Sequence, residues 1–195
     1  MKKYFFLFIV ALFTTISGTA QNLEVVINYV SIDPAVTKPV IFYTPGTKLT
    51  WDDFKGKADK TIDAAAITNA GIGFKMAFHS KDNLATLTIN VDCSFSKNDS
   101  WVKRGMKTAY ILIHEQHHFD IAYIFAMKFV HDLKVAKYTM SNYSKTIEKI
   151  YYSNQTALLA LQNQYDGETK HSQITAMQEV WNKKIDSEID ALSKQ

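Results

Sequence analysis

Cysteine is almost absent from this chain, with one residue, Cys93, in 195. No internal disulfide is possible, so the fold must be held by its core, by a metal ion, or by both. Cys93 sits among alternating apolar residues and reads as a buried, inert thiol. Proline is equally scarce: three residues, the last at Pro45. No repeat, low-complexity tract or Pro/Gly-rich linker divides the rest, and residues 21–195 read as one domain. Long hydrophobic runs are missing too, with one exception at the start. Lys2 and Lys3 precede an apolar stretch, Tyr4 to Phe13, and Gly18-Thr19-Ala20 then offers small residues. That stretch falls short of the roughly 20 residues a bilayer span needs, and it has the pattern of a signal peptide over residues 1–20. No cysteine stands directly after Ala20 to take a lipid. The sequence therefore predicts export, to the periplasm or beyond the cell, with no stable membrane anchor once the signal is removed. An excess of one charge is also lacking. The net charge of +3 falls to +1 without Lys2 and Lys3, so nothing argues for nucleic acid as a partner.

What is present is a change of period. Leu23 to Val30 and Val40 to Tyr43 are short β-branched or aromatic runs, with Pro34 and Pro39 between them. Ile72, Phe74, Met76 and Phe78 alternate with more polar neighbours, as do Leu87, Ile89, Val91, Cys93 and Phe95. Period two predicts half-buried strands, joined as an antiparallel hairpin through Ser80-Lys81-Asp82-Asn83. From Asn98-Asp99-Ser100, which can cap, a helix is expected from about Trp101 to Lys137, apolar nearly all round from Phe119 to Met127 and so buried. A second helix is expected from near Ser144 to Tyr165, stopping at Gly167. A third carries Ile174, Met177, Trp181, Ile185, Ile189 and Leu192. Strands followed by helices predict an α+β domain: a small antiparallel sheet or hairpin, a buried helix and two further helices.

The buried helix contains His114-Glu115-Gln116-His117-His118, an H-E-x-x-H pattern. Residues four apart share a helix face, so His114 and His118 can converge on one zinc ion at about 2.0–2.1 Å. Glu115 projects from the edge of that face, where it misses the metal and reaches a water that the metal has acidified. It is the candidate general base. The competing reading is a buried helix whose histidines are satisfied by ordinary partners, but Glu115 would then be a buried charge in need of a partner of its own. His117, sixty degrees round the helix, reads as a hydrogen-bonded flank. Asp120 either orients a histidine as a supporting carboxylate or anchors the helix to the β half.

A catalytic zinc needs a third protein ligand and an open position. The extended H-E-x-x-H-x-x-G-x-x-H form fails, because positions 121 and 124 are Ile121 and Ile124. His131 is about 20 Å from His118 along a continuous helix. The segment Tyr165-Asp166-Gly167-Glu168-Thr169-Lys170-His171 is the better source, read as a break between helices dense in ligand types. His171 is the preferred third ligand, placed at the start of the last helix where a neutral imidazole is favoured. Asp166 suits support of an imidazole behind the ligands, and Asp166 and Glu168 are rival ligands. Trp51-Asp52-Asp53-Phe54 reads as a packing and capping turn, with lining of a substrate groove as the alternative.

These blocks carry a resemblance. Ile113-His114-Glu115-Gln116-His117-His118-Phe119-Asp120-Ile121, with Leu49-Thr50-Trp51-Asp52-Asp53-Phe54-Lys55-Gly56 before it and Tyr165-Asp166-x-x-Thr169-x-His171 after it, resembles a bacterial domain-of-unknown-function family described as secreted zinc-dependent proteases. The resemblance covers about residues 45–180. It implies a zincin-like fold, and functional positions at His114, Glu115, His118 and His171. Ser172 departs from the glycine expected after the downstream histidine.

The sequence thus predicts a secreted zinc-dependent hydrolase, a metallopeptidase acting on peptide or protein substrates. A zinc amidase on cell-wall peptides and a non-catalytic, metal-stabilised envelope protein are the alternatives. The hairpin is expected to offer an edge strand beside the active helix, to which substrate adds as a further strand.

Overall fold

Along β5 (Leu84–Ser96), side chains alternate between buried and half-buried, and the buried set of Ala85, Leu87, Ile89, Val91, Cys93 and Phe95 forms the floor of the core. The structure, a computed structural model, describes residues 22–194 apart from Val36; the expected signal segment, residues 1–20, lies outside the described residues. One edge of β5 pairs antiparallel with β4 (Ala70–Lys81). The other pairs in parallel with β1 (Asn22–Tyr29) and then antiparallel with β2 (Val40–Phe42). A second, two-stranded sheet joins β3 (Ala66–Ile67) to β6 (Trp101–Val102). The expected hairpin is present, and its ladder continues to Lys81 opposite Leu84. Only Asp82 and Asn83 remain as the loop, with Asp82 at φ 53° in the left-handed region that Asp tolerates better than most residues.

The far half of β4 departs from the expected one-faced strand. Ile72 is buried, yet Met76 and Phe78 are about half exposed. Helices cover only the near half: Phe74 packs against Phe129 and Tyr151, whereas Phe78 meets Tyr143 alone among the aromatic rings, at 6.1 Å. The alternation was a true sign of a strand, but a strand outruns its core where no second layer follows it.

Three helices cover the sheet: α1 (Ala109–Val135) lies on the strands, and α2 (Tyr143–Thr169) and α3 (Thr175–Leu192) pack against α1. The described chain is therefore α+β, a small sheet with three helices. Helix α1 starts eight residues later than expected, because Trp101 and Val102 pair with β3 instead. Gly105 at φ 82° turns the chain, and the Thr108 hydroxyl then accepts from Ile111 N at 3.1 Å, satisfying one of the free N–H groups of the first turn. Asn98–Ser100 caps nothing helical; Asp99 accepts from the Ser96 hydroxyl and Ser100 Oγ accepts from Asn69 N. Every residue from His114 to Tyr123 is buried, as expected of a helix between a sheet and two other helices.

Helix α2 does not stop at Gly167 but continues to Thr169. It ends where Lys170, His171 and Ser172 all take positive φ, at 48°, 49° and 70°. Cys93 is fully buried and unpaired, and burial pushes its thiol far from ionisation, so the inert reading holds. Trp51–Asp53 is a 3-10 turn in which Asp53 accepts from the backbone and hydroxyl of Thr50, and Phe54 after it packs on Phe95 at 5.2 Å. It packs and caps. Among the described residues, no helix is long and apolar enough to cross a membrane.

Candidate metal centre

Helix geometry brings His114 and His118 onto one face of α1, and their Nε2 atoms stand 3.3 Å apart. Asp166, on the last turn of α2, places Oδ1 at 3.1 Å from each of them. These separations can be tested against an ion. Ligands held at about 2.05 Å in a tetrahedron lie about 3.3 Å from one another, and the three observed separations lie at or just below that value. Two imidazoles and a carboxylate are also a donor set that divalent metals accept. His114, His118 and Asp166 can therefore hold a metal ion.

The surroundings fix the direction of the donor atoms. Gln178, wholly buried on α3, gives its Nε2 hydrogens to the Tyr165 hydroxyl and to Asn182 Oδ1. Its Oε1 is then the atom that faces His114 Nδ1 at 2.8 Å. An amide oxygen only accepts, so Nδ1 carries a proton, and once the ring is neutral Nε2 is the atom that presents its lone pair to the centre. Tyr165 stacks on the His114 ring at 4.5 Å and meets His118 edge-on at 5.1 Å, filling the space on which the rings would otherwise turn. Gln178 and Tyr165 come from helices remote in sequence, and no local spacing announced Gln178. Gln178→Leu should weaken metal affinity by about 10–100-fold while leaving all three donors in place. A metal titration monitored by calorimetry checks this.

Asp166 was expected behind the ligands or as a rival to His171, the preferred third ligand. The structure brings Asp166, and not His171, into the group of mutually close donors. Because α2 runs through Gly167, Asp166 is carried on a helix and joins the cluster. His171 lies in the left-handed turn beyond it, its side chain 43% exposed, with Nδ1 at 3.2 Å from Asp166 Oδ1. It stands outside the group of mutually close donors and beside its rim. Neither is His171 at the start of α3, which begins at Thr175. Glu168, the other rival, accepts from Trp181 Nε1 and Gln164 Nε2 and is held by them instead. Ser172 stands where the resemblance expects glycine, and its φ of 70° is the region glycine enters without strain.

Asp120 serves the second of its two expected roles. It accepts from the Tyr43 hydroxyl at 2.8 Å and from Gln116 Nε2 at 2.8 Å, and it meets His117 Nδ1 at 3.0 Å. None of these is a donor of the cluster, so Asp120 does not orient a ligand; it ties α1 to the end of β2. His117 is the hydrogen-bonded flank that its position suggested.

The charges are strongly coupled. Burial opposes ionisation of Asp166, but hydrogen bonds from His114 and His118, with their charge, hold its carboxyl well below the usual range. Burial likewise opposes charging His118, yet the hydrogen bond and charge of Asp166, and the charge of Glu115, raise its affinity for a proton. Glu115 is 3% exposed, and its Oε2 has no hydrogen-bond partner among the described residues. Its backbone carbonyl accepts from Thr68 Oγ1 at 3.0 Å, which ties this turn of α1 to the β3–β4 connection.

The cluster is not sealed from solvent. The side chain of His114 is 2% exposed, that of His118 10% and that of Asp166 24%. Next to His171 opens a cleft of about 350 Å³, bounded by Asp63–Ala65 on one wall, by Tyr110 and Ile111 of α1, and by His171–Gln173. Met76 and Phe78, the exposed apolar residues of the hairpin, take no part in lining this cleft. Fold and cluster together define an α+β protein with a candidate metal centre built between two helices. Comparison with models of known families, with curated proteins and with solved structures returned no match in any of the three.

Proposed function

We propose that this chain is an exported, zinc-dependent hydrolase of zincin-like architecture, a metallopeptidase in which Glu115 is the general base. The observation that supports this most directly is the meeting of three donors about 3.1–3.3 Å apart beside a buried carboxylate with an unpartnered oxygen. The same donor set serves iron(II) in oxygenases. A buried carboxylate oxygen with no donor to accept from favours hydrolysis, which needs a base held dry and free.

His114, His118 and Asp166 would hold the ion, which when bound polarises a carbonyl and acidifies a water. Glu115 would accept a proton from the attacking water and return it to the leaving amine. Tyr165 and Gln178 keep the His114 ring in its donor orientation throughout. A peptide would enter along the cleft between Asp63–Ala65 and His171–Gln173, extended beside the β3 approach.

The test joins elemental analysis to cleavage. Protein purified without chelator should contain about one zinc per chain and cut members of a mixed peptide library. Iron in place of zinc, or no metal, would overturn the reading. Cleavage of purified cell wall without peptide cleavage would reassign the substrate to an amidase's. Melting that collapses on chelation, with no hydrolysis of either, would mark a structural ion.

Metal uptake should also depend on pH in a stated direction. The metal has to displace the proton that Asp166 and Glu115 help to hold on His118. Apparent affinity should therefore fall on going from about pH 8 to about pH 6, approaching about tenfold per unit as one proton is released per ion. A flat profile in titrations across that range would remove His118 from the ligand set.

A further inference from the structure

Among the described residues, three buried side-chain oxygens lack a hydrogen-bond partner: Tyr110 Oη, Glu115 Oε2 and Asn154 Oδ1. Asn154 belongs elsewhere, its amide nitrogen serving Asp132 and Ile150 on the far side of the α1–α2 interface. The other two lie on α1 on either side of His114. Native folds rarely leave such atoms unpaired, and where they do the group has a task the resting protein does not show. Glu115 has such a task in the reading above. Tyr110 has none yet.

Its position is informative. Tyr110 precedes His114 by one helical turn and so shares the face of α1 that carries both imidazoles. Its half-buried ring forms part of the cleft wall with Ile111, His171 and Ser172. Its surroundings overlap the cluster's. Tyr165, which stacks on the His114 ring, also turns its hydroxyl toward His114 O on this stretch of α1. The orphaned donor and the orphaned acceptor thus stand four residues before and one residue after the same ligand, His114.

The two atoms are chemically complementary. A phenol hydroxyl donates, whereas an ionised carboxylate only accepts. Acyl hydrolysis needs one of each: an acceptor for the proton of water, and a donor for the acyl oxygen as it becomes negative. Glu115 supplies the first. Nothing among the three donors of the cluster supplies the second.

We propose that the Tyr110 hydroxyl is this donor, a catalytic residue that hydrogen-bonds the substrate's acyl oxygen in the transition state and keeps its own proton. The assignment rests on the metallohydrolase reading. It differs from a structural role in a measurable way, because the hydroxyl holds nothing in the folded chain. Removing it must leave stability unchanged or higher.

The experiment compares wild type with Tyr110→Phe in three readouts: melting of the metal-free proteins, acetohydroxamate affinity of the cobalt(II)-loaded proteins followed in the visible spectrum, and peptide hydrolysis. The variant should melt no lower than wild type and take up cobalt equally. It should bind acetohydroxamate about tenfold more weakly, and its kcat should fall about 100-fold with little change in KM. Equal acetohydroxamate affinity in the two cobalt-loaded proteins overturns the assignment, and so does a clearly lower melting temperature, which would show that the hydroxyl supports the fold. Failure of the wild type to take up cobalt is a different failure: it removes the metal centre itself, and the role of Tyr110 goes with it.

Discussion

Glu115→Gln should retain the metal, melt no lower than wild type, and hydrolyse peptides at least about 100-fold more slowly, the scale expected when a positioned general base is lost. The substitution keeps the shape of the side chain and removes its ability to take a proton. Glu115 is 3% exposed with one oxygen unpartnered, a condition that costs about 1–3 kcal/mol when nothing compensates it. A neutral amide at the same place relieves part of that penalty, so the inactive variant should be as stable or more stable. The combination is diagnostic. A buried glutamate kept for structure would lose stability on substitution and leave any hydrolysis untouched. Elemental analysis, thermal melting and peptide cleavage on one preparation decide between them, and hydrolysis at the wild-type rate would end the assignment of Glu115 as base.

The part of this site that could be read from the chain alone was the part encoded locally. His114, Glu115 and His118 lie within a single helical turn, and their relation follows from the helix period once the helix is recognised. The third donor was another matter, because it depended on where α2 ends. Gly167 looked like a stop, which put Asp166 in a loop and His171 at the next helix start. A glycine inside a helix costs only about 1 kcal/mol relative to alanine. On α2 the neighbouring residues offset this: Tyr165 and Thr169 are fully buried, and Thr169 Oγ1 donates to Tyr165 O at 2.7 Å. Tertiary packing therefore carried the helix past its local stop signal, and with it Asp166 into the cluster. The start of α1 was misplaced for the converse reason. Gly105 and Thr108 were the true signals, but Asn98–Ser100 showed the same residue types earlier, and only the pairing of Trp101 with Ile67 shows that the chain is still extended there. Gln178 could not have been singled out, since the partner it orients lies 64 residues away.

Exchanging the two candidates for the third donor should give sharply unequal results. Asp166→Ala should weaken metal affinity by more than about 100-fold, and His171→Ala by less than about tenfold, since losing a direct donor exceeds the 10–100-fold typical of a supporting contact. Asp166 Oδ1 touches both imidazoles at 3.1 Å, and its carboxylate is the one negative group in the cluster, so its loss removes a donor and the cluster's whole negative charge together. His171, 43% exposed, touches Asp166 Oδ1 at 3.2 Å but is not one of the mutually close donors. The metal-free proteins give an independent check through pH. The depressed Asp166 carboxyl contributes stability that is present above the ordinary carboxylate range and lost as pH falls through its folded value. The raised His118 contributes stability that is complete below about pH 6.5 and lost as pH rises through its folded value. Their pairing is thus worth most between about pH 4 and about pH 6.5. Asp166→Ala should flatten that maximum in thermal melts, whereas His171→Ala should leave most of it. Were His171→Ala to lose the metal and Asp166→Ala to keep it, the third donor would be the downstream histidine, and the turn at Lys170–Ser172 would have to swing inward to deliver it.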